Sequence, residues 1–289
     1  MSGRWIALTV RVPSEELTEE LAGGLVSLGG LAVEQDVDLL TTYVREPDDP
    51  ETFLRTAADR LAAIAGTEPE MLWRWQDDEH WSARWQVGLA PRRVGERFVI
   101  TQPWNPVEPA DDDVVIVIDP SSAFGTGEHA TTRGALRLLE SAVIGGERVL
   151  DVGAGSAILS IAAVALGAET VLAVESDEGA MATAAANVAR AGLGDRVELV
   201  NAVVDEDYLE RVRGDGFDLI VANVLSGALT PLLPGFRGAV RDDGPVILGG
   251  IMAGEVDAIR AAGEVAGLDV VAEDREGEWW TALLRPAAG

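Results

Sequence analysis

The stretch Val149-Leu150-Asp151-Val152-Gly153-Ala154-Gly155-Ser156-Ala157-Ile158 decides the fold. Its first four residues are an apolar run interrupted by one carboxylate, the pattern of a strand buried on both faces. Gly153 and Gly155 follow, where a tight turn needs backbone conformations that a side chain disfavours. From Ile158 to Leu166 the sequence is apolar and alanine-rich and reads as a helix. Strand, glycine turn and helix in this order make one βα unit. Ligands of such sheets lie at the carboxyl ends of the strands, facing the free N–H groups of the helix start.

Further strands are expected downstream at 170–174, 196–200, 217–222, 245–249, 269–273 and 279–284, and one upstream at 114–118. Helical stretches separate most of them. Runs such as Asp218-Leu-Ile-Val-Ala222 again indicate strands covered on both faces. The expected architecture is a doubly wound, seven-stranded α/β sheet. Its last two strands are joined by a short link at Gly277, which points to a closing antiparallel hairpin absent from a plain dinucleotide-binding fold.

The first 79 residues follow a different rhythm. A strand from Trp5 to Val12 precedes a helix opened by Pro13-Ser14, with Ser14 as its cap and Gly29-Gly30 as its stop. One or two strands follow between Leu31 and Val44 around Asp36. A helix over Pro50–Ala65 carries Phe53, Leu54, Ala57, Leu61 and Ile64 on one face, and a strand starts at Met71. This β-α-β-β-α-β order predicts a small ferredoxin-like α+β domain. The chain is therefore divided into an N-terminal domain at 1–78, a connector at 79–108 and the main domain at 109–289. The connector carries Trp81, Trp85 and Trp104, read as packing between the two domains, and a short strand at 97–102.

Composition narrows the chemistry. The 289 residues include 49 acids against 22 basic residues, all of them arginine, for a formal net charge of −27. Acids outnumber arginines in both halves, so the charge is not one tail. A nucleic-acid partner is not expected, because phosphate binding needs a basic face. Two readings of the acidity stay open: adaptation to high salt, which screens such charge, and attraction of a basic macromolecular partner. There are no cysteines, and His80 and His129 are the only histidines, so thiolate chemistry is excluded and a metal centre is not expected. No apolar run approaches the roughly 18 residues of a membrane span, and the first residues lack a secretory pattern. A cytoplasmic monomer is the expectation.

The glycine loop then discriminates between ligands. A dinucleotide fingerprint needs glycines at the first, third and sixth positions. Counted from Gly153, the sixth position is Ile158, so the pyrophosphate pattern is missing. A Walker loop is excluded by the lack of lysine. A ligand without pyrophosphate, such as S-adenosylmethionine, suits the loop better. Glu175 ends the next strand 22 residues beyond Gly153, where a carboxylate accepts hydrogen bonds from ribose hydroxyls. Asp151 stands to orient the loop or to meet the amino group of the methionine moiety. Asn201-Ala202 lies where an adenine edge is expected, and Asn223 ends a strand beside the expected methyl position.

A second segment narrows this further: Asp119-Pro-Ser-Ser-Ala-Phe124-Gly125-Thr126-Gly127-Glu-His129-Ala-Thr131-Thr132. It resembles the Asp-Pro-Gly-x-Ala-Phe-Gly-Thr-Gly-x-His-x-Thr-Thr signature of the PrmA family, which methylates large-subunit ribosomal protein L11. Trp81, Trp85, Pro103-Trp104, Val221-Ala-Asn223 and Gly277-Glu-Trp279 add to the resemblance, which covers roughly 80–289. It implies a class I methyltransferase fold that uses S-adenosylmethionine. It implies cofactor contacts at Thr132, Gly153, Glu175 and Asn223, beside Asp151 and Gly155 of the loop, with Phe124, Gly125 and Thr126 closing over the cofactor.

It also implies methylation of lysine and N-terminal amines of that protein, free or on the ribosome, with residues 1–79 as the recognition module. Three departures stand out. Ser121 and Ala157 replace glycines, and Glu175 replaces an aspartate while keeping the carboxylate. Asn223 is the expected catalytic residue, holding the amine for attack. His129 stands either as a general base or as a brace before Thr131-Thr132. The alternatives are a methyltransferase of the same fold with another substrate, and a non-catalytic docking protein.

Overall fold

The computed structural model describes residues 4–13, 17–28, 33–47, 49–67, 70–77, 90–119 and 124–287. Expectations placed on Ser14, Gly29-Gly30, His80, Trp81, Trp85 and Ser121 lie outside these residues. The chain forms two compact units, residues 1–89 and 90–289.

In the first unit, β1 (Arg4–Arg11), α1 (Thr18–Ser27), β2 (Val33–Asp36), β3 (Leu39–Arg45), α2 (Pro50–Ala65) and β4 (Met71–Asp77) follow one another. The sheet order is β2-β3-β1-β4, with every neighbouring pair antiparallel. This is the ferredoxin-like arrangement that the sequence predicts. Alternation along β1 sends Ile6, Leu8 and Val10 into a core with Leu21, Leu25 and Leu61. α2 keeps the expected bounds because both ends are capped. Asp49 accepts the Thr52 N–H at 3.1 Å, and Gly66 closes the helix in a left-handed conformation.

The second unit opens with a small sheet. β5 (Arg92–Val94) pairs antiparallel with β6 (Phe98–Thr101), which pairs in parallel with β7 (Val114–Val117). The strand expected at 114–118 thus joins the segment expected at 97–102 rather than the main sheet. Val114 to Val117 carries the parallel partner that β6 needs, and that pairing sets Ile100 against Ile116, both fully buried.

The main sheet comprises β8 (Arg148–Val152), β9 (Thr170–Glu175), β10 (Val197–Asn201), β11 (Leu219–Asn223), β12 (Val246–Met252), β13 (Leu268–Glu276) and β14 (Trp279–Pro286). Its order is β10-β9-β8-β11-β12-β14-β13. β8 to β12 pair in parallel, and β14 inserts antiparallel between β12 and β13. The hairpin turns at Gly277, φ +61°, between the paired residues Glu276 and Trp279. The helices are α3 (Ala130–Ala142), α4 (Ile158–Leu166), α5 (Glu178–Arg190), α6 (Glu206–Val212), α7 (Ser226–Ala239) and α8 (Val256–Val265).

They cover both faces, so successive strand residues enter opposite cores. Val149 packs with α3, α4 and α5, while Leu150 packs with α6, α7 and α8. Strand order reverses between β8 and β11, and the crevice beyond the carboxyl ends there is where sheets of this kind hold ligands. Among the described residues no helix is long and apolar enough to cross a membrane.

The turn from β8 into α4 uses three left-handed residues, Gly153 (φ +72°), Gly155 (φ +55°) and Ala157 (φ +65°). At Ala157 an L-residue in this conformation costs roughly 1–2 kcal/mol, a strain that glycine avoids. Its methyl group is fully buried among the core residues of α3 to α5 and does not line the cavity described below. The site is therefore strained in backbone but filled in packing. Replacing Ala157 by Gly relieves strain and loses a buried methyl worth about 0.8 kcal/mol, so unfolding free energy is expected to stay within about 1 kcal/mol of the parent. Ala157→Val places a β-branched side chain at positive φ in a filled core and is expected to cost about 3 kcal/mol or more in denaturant unfolding.

Candidate functional site

The carboxyl ends of β8 and β9 are stitched together by backbone. The N–H groups of Gly153 and Ala154 donate to the Val174 carbonyl at 2.9 and 3.1 Å. The next amide, Gly155, donates to Glu175 Oε2 at 2.9 Å. Glu175 Oε1 accepts from Ser176 and Asp177 N–H at 2.8 and 2.9 Å. The carboxylate thereby links the glycine loop to the start of α5, whose cap is Asp177, accepting from Ala180 N–H at 2.8 Å. Gly155 has no room for a side chain: a Cβ there would sit 2.6 Å from the Phe124 carbonyl oxygen.

Asp151 lies beneath the loop rather than in the cavity. It is fully buried, and its Oδ2 accepts from Ser160 Oγ at 2.6 Å while Oδ1 has no partner. Burial pushes its carboxyl up to about 6, against the Ser160 hydrogen bond and helped by the negative charge of Glu175.

Above the loop is a cavity of about 510 Å³, lined by Phe124, Gly125, Thr132, Gly153, Gly155, Glu175, Asn223 and Trp279, among others. Two polar atoms on its walls are orphaned: Thr132 Oγ1 from the first turn of α3 and Asn223 Oδ1 from the end of β11. A buried polar atom without a partner costs about 1–3 kcal/mol, so such atoms mark places where a ligand completes the structure. Asn223 also requires glycine opposite, because a Cβ on Gly249 would fall 2.6 Å from its Oδ1.

One wall is aromatic. The Phe124 and His129 ring centroids are 5.1 Å apart, and His129 and Trp279 are 4.8 Å apart, both edge to face. His129 caps α3: its Nδ1 accepts from Thr131 N–H at 3.4 Å and pairs with Thr131 Oγ1 at 2.8 Å. Burial, and after it the Arg133 charge, lowers its pKa, and the cap contacts engage its Nδ1. Of the two roles open to His129, the geometry favours the brace. Arg133 donates to the carbonyls of Gly127 and Glu128 and is held by Glu276, whose carboxyl the Arg133 guanidinium lowers to about 2.

Most of the expected residues converge on this cavity: Thr132, Gly153, Gly155, Glu175, Asn223, Phe124 and Gly125 all line it. Asp151 does not, and neither does Thr126, whose Oγ1 accepts the Glu128 N–H at 3.3 Å. Asn201 turns its amide to the Glu175 carbonyl at 2.9 Å, and neither it nor Ala202 reaches the lining. Asp177, Val224, Leu225 and Gly250 line the cavity without having been singled out. Ser176-Asp177-Glu178 carries a helix-cap signal, and Gly249-Gly250 marks a close approach. A Cβ on Gly250 would lie 2.2 Å from the Val224 carbonyl oxygen.

The buried Asp151 sets a pH dependence. Its pKa is higher in the folded chain than unfolded, so it binds more protons when folded. Its unfavourable contribution appears as pH rises from about 4 through about 6. Asp151→Asn removes that contribution. Its stability relative to the parent is expected to rise by about 2 kcal/mol between pH 4 and pH 8 in urea unfolding. A difference that does not change with pH contradicts the assignment.

Residues 7–286 match the family model described as ribosomal protein L11 methyltransferase (PrmA). The chain is 34% identical to the ribosomal protein L11 methyltransferase of Pelobacter propionicus, covering all of this chain and 99% of that protein. It is 36% identical to that of Geobacter sulfurreducens, covering 99% of each. A crystal structure of ribosomal protein L11 methylase from Lactobacillus delbrueckii subsp. bulgaricus superposes with a TM-score of 0.63 at 32% identity, over 69% of this chain and 100% of that one. With the seven-stranded sheet, the switch-point cavity and matches of this extent, the chain belongs to the ribosomal protein L11 methyltransferase (PrmA) family.

Proposed function

We propose that this protein transfers methyl groups from S-adenosylmethionine to lysine and N-terminal amines of ribosomal protein L11. The observation that carries the reading is the pair of orphaned polar atoms, Thr132 Oγ1 and Asn223 Oδ1, on a cavity that also presents Glu175 and the Gly153–Gly155 backbone. These donors and acceptors fit a ligand with ribose hydroxyls and an ammonium group, and they offer no phosphate site. The chemistry that S-adenosylmethionine supplies when bound is an electrophilic sulfonium methyl group.

The protein's own part is orientation and water exclusion. Glu175 would hold the ribose through Oε2, which takes one backbone donor where Oε1 takes two. Thr132 Oγ1, which has no partner in the protein, would hold a polar group of the remainder of the cofactor against the glycine-loop backbone, and Phe124 and Gly125 would cover it. Thr126 and Asp151 act from behind, through the turn before α3 and through the base of the loop. Asn223 Oδ1 accepts an N–H of the incoming amine and directs its lone pair toward the methyl group.

A free lysine amine has a pKa of about 10.4 and must be neutral to attack. The wall of Phe124, His129 and Trp279 lowers that pKa by dehydration. Water takes the proton. His129, whose Nδ1 is engaged as the cap of α3, is not needed as the base.

Residues 1–78 recognise the substrate, residues 79–108 connect, and residues 109–289 bind the cofactor and catalyse. The excess of 49 acids over 22 arginines supports a basic partner and no contact with ribosomal RNA. In this reading the protein is a cytoplasmic monomer that meets L11 free or on the ribosome.

Incubation of the full chain with S-adenosylmethionine and purified L11 is expected to add methyl-sized mass increments to L11, read by intact-protein mass spectrometry. Asn223→Ala is expected to lower kcat by about 100-fold while the cofactor Kd changes less than about threefold, as befits an interaction made mainly in the transition state. Undiminished kcat in Asn223→Ala removes Asn223 from the mechanism, and no label on L11 overturns the substrate.

A further inference from the structure

Two fully buried polar side chains, Ser156 and Asn187, are not needed to touch a ligand, yet they join three separate pieces of the site. Ser156 follows the glycine loop. Its N–H donates to the Phe124 carbonyl at 2.9 Å, and its Oγ donates to the Gly125 carbonyl at 2.6 Å. The same Oγ accepts the Ile158 N–H at 3.3 Å, at the start of α4. Asn187 sits on the buried face of α5. Its Nδ2 donates to the Ser156 carbonyl at 3.0 Å and to the Asp119 carbonyl at 3.3 Å, and its Oδ1 accepts the Asp119 N–H at 2.9 Å. The backbone approach is tight throughout. A Cβ on Gly125 would lie 2.8 Å from Ser156 Oγ, and one on Gly155 would lie 2.6 Å from the Phe124 oxygen.

From this geometry we infer that Ser156 and Asn187 are positioning residues: a buried relay that clamps the Phe124–Gly125 backbone onto the cofactor loop. The inference rests on the reading that the cavity holds S-adenosylmethionine. Its physical basis is the cost of the alternatives. If Phe124 and Gly125 lift away, the amide and hydroxyl protons of fully buried Ser156 lose their acceptors. The clamp therefore holds one wall of the cavity in its binding position before the cofactor arrives, and affinity gains from that preorganisation. Chemistry at the methyl group, which depends on Asn223, is left alone.

The experiment uses the full chain and two variants. Ser156→Ala removes only a hydroxyl, and Asn187→Ala breaks the relay at its other end. Hydrogen exchange of ligand-free protein is read on a peptide spanning 124–130, with β8 (148–152) as the control for intact folding. Calorimetry gives the S-adenosylmethionine Kd, and methylation of L11 at saturating cofactor gives kcat.

The clamp predicts exchange in 124–130 faster by about three- to tenfold in both variants, with β8 unchanged. It predicts a Kd raised by a similar factor and kcat within twofold of the parent. Parent-like exchange in 124–130 in both variants overturns the clamp, as does a lowered kcat with unaltered Kd. If the parent chain itself binds no S-adenosylmethionine, the reading of the cavity fails, while the exchange comparison still decides the clamp.

Discussion

Three left-handed residues in five positions, Gly153, Gly155 and Ala157, set the site. They turn the chain from β8 into α4 in a space that leaves no room for a side chain at Gly155, where a Cβ would lie 2.6 Å from the Phe124 carbonyl oxygen. The turn leaves the Gly153 to Gly155 amides at the carboxyl ends of β8 and β9, where Val174 and Glu175 receive them. That single constraint fixes the distance between the loop and Glu175, and so the width of the cavity. It also makes the loop a surface of backbone rather than side chains on that side, which a ligand approaches closely. Two of the three positions are glycine; the third, Ala157, carries the strain and returns a buried methyl to the core.

The rest of the site is arranged around that turn in layers. Below it, Asp151 and Ser160 hold the base of the loop, at the expense of a buried carboxylate. Beside it, Ser156 and Asn187 tie in the segment that begins at Phe124. Across the crevice, Thr132 and Asn223 present polar atoms that the protein leaves without partners. The β13–β14 hairpin supplies Trp279 to the aromatic wall and Glu276 to Arg133, which in turn holds the Gly127 and Glu128 carbonyls. A plain dinucleotide fold lacks this hairpin, which here completes the aromatic wall with Trp279.

Much of this was legible in the sequence because it follows from local patterns. Apolar runs located β8, β9 and β11 to within two residues, and α2 and α4 kept their expected bounds. The absent sixth glycine at Ile158 excluded a pyrophosphate ligand without any coordinates. What stayed hidden depends on long-range pairing. β7 reads like a strand of the main sheet, but β6 is its hydrogen-bond partner, a choice that no local pattern records. Asn201 reads as a ligand contact by its place at the strand end, yet its amide is used on the Glu175 carbonyl. Ala157 reads only as a replaced glycine; the direction of its methyl depends on a φ of +65°, which turns it into the core. Asn187 carries no signal at all, since a single asparagine on an alanine-rich helix looks like surface.

The turn from Gly153 to Ala157, closed by Glu175, builds a pocket for a methyl donor and not for a dinucleotide. Calorimetric titration of the full chain tests this most directly, with S-adenosylmethionine and NADH compared under one set of conditions. Saturable binding of S-adenosylmethionine with micromolar affinity, on the order of −8 kcal/mol, is expected, with no measurable heat from NADH. Binding of NADH, or no binding of S-adenosylmethionine, would contradict it.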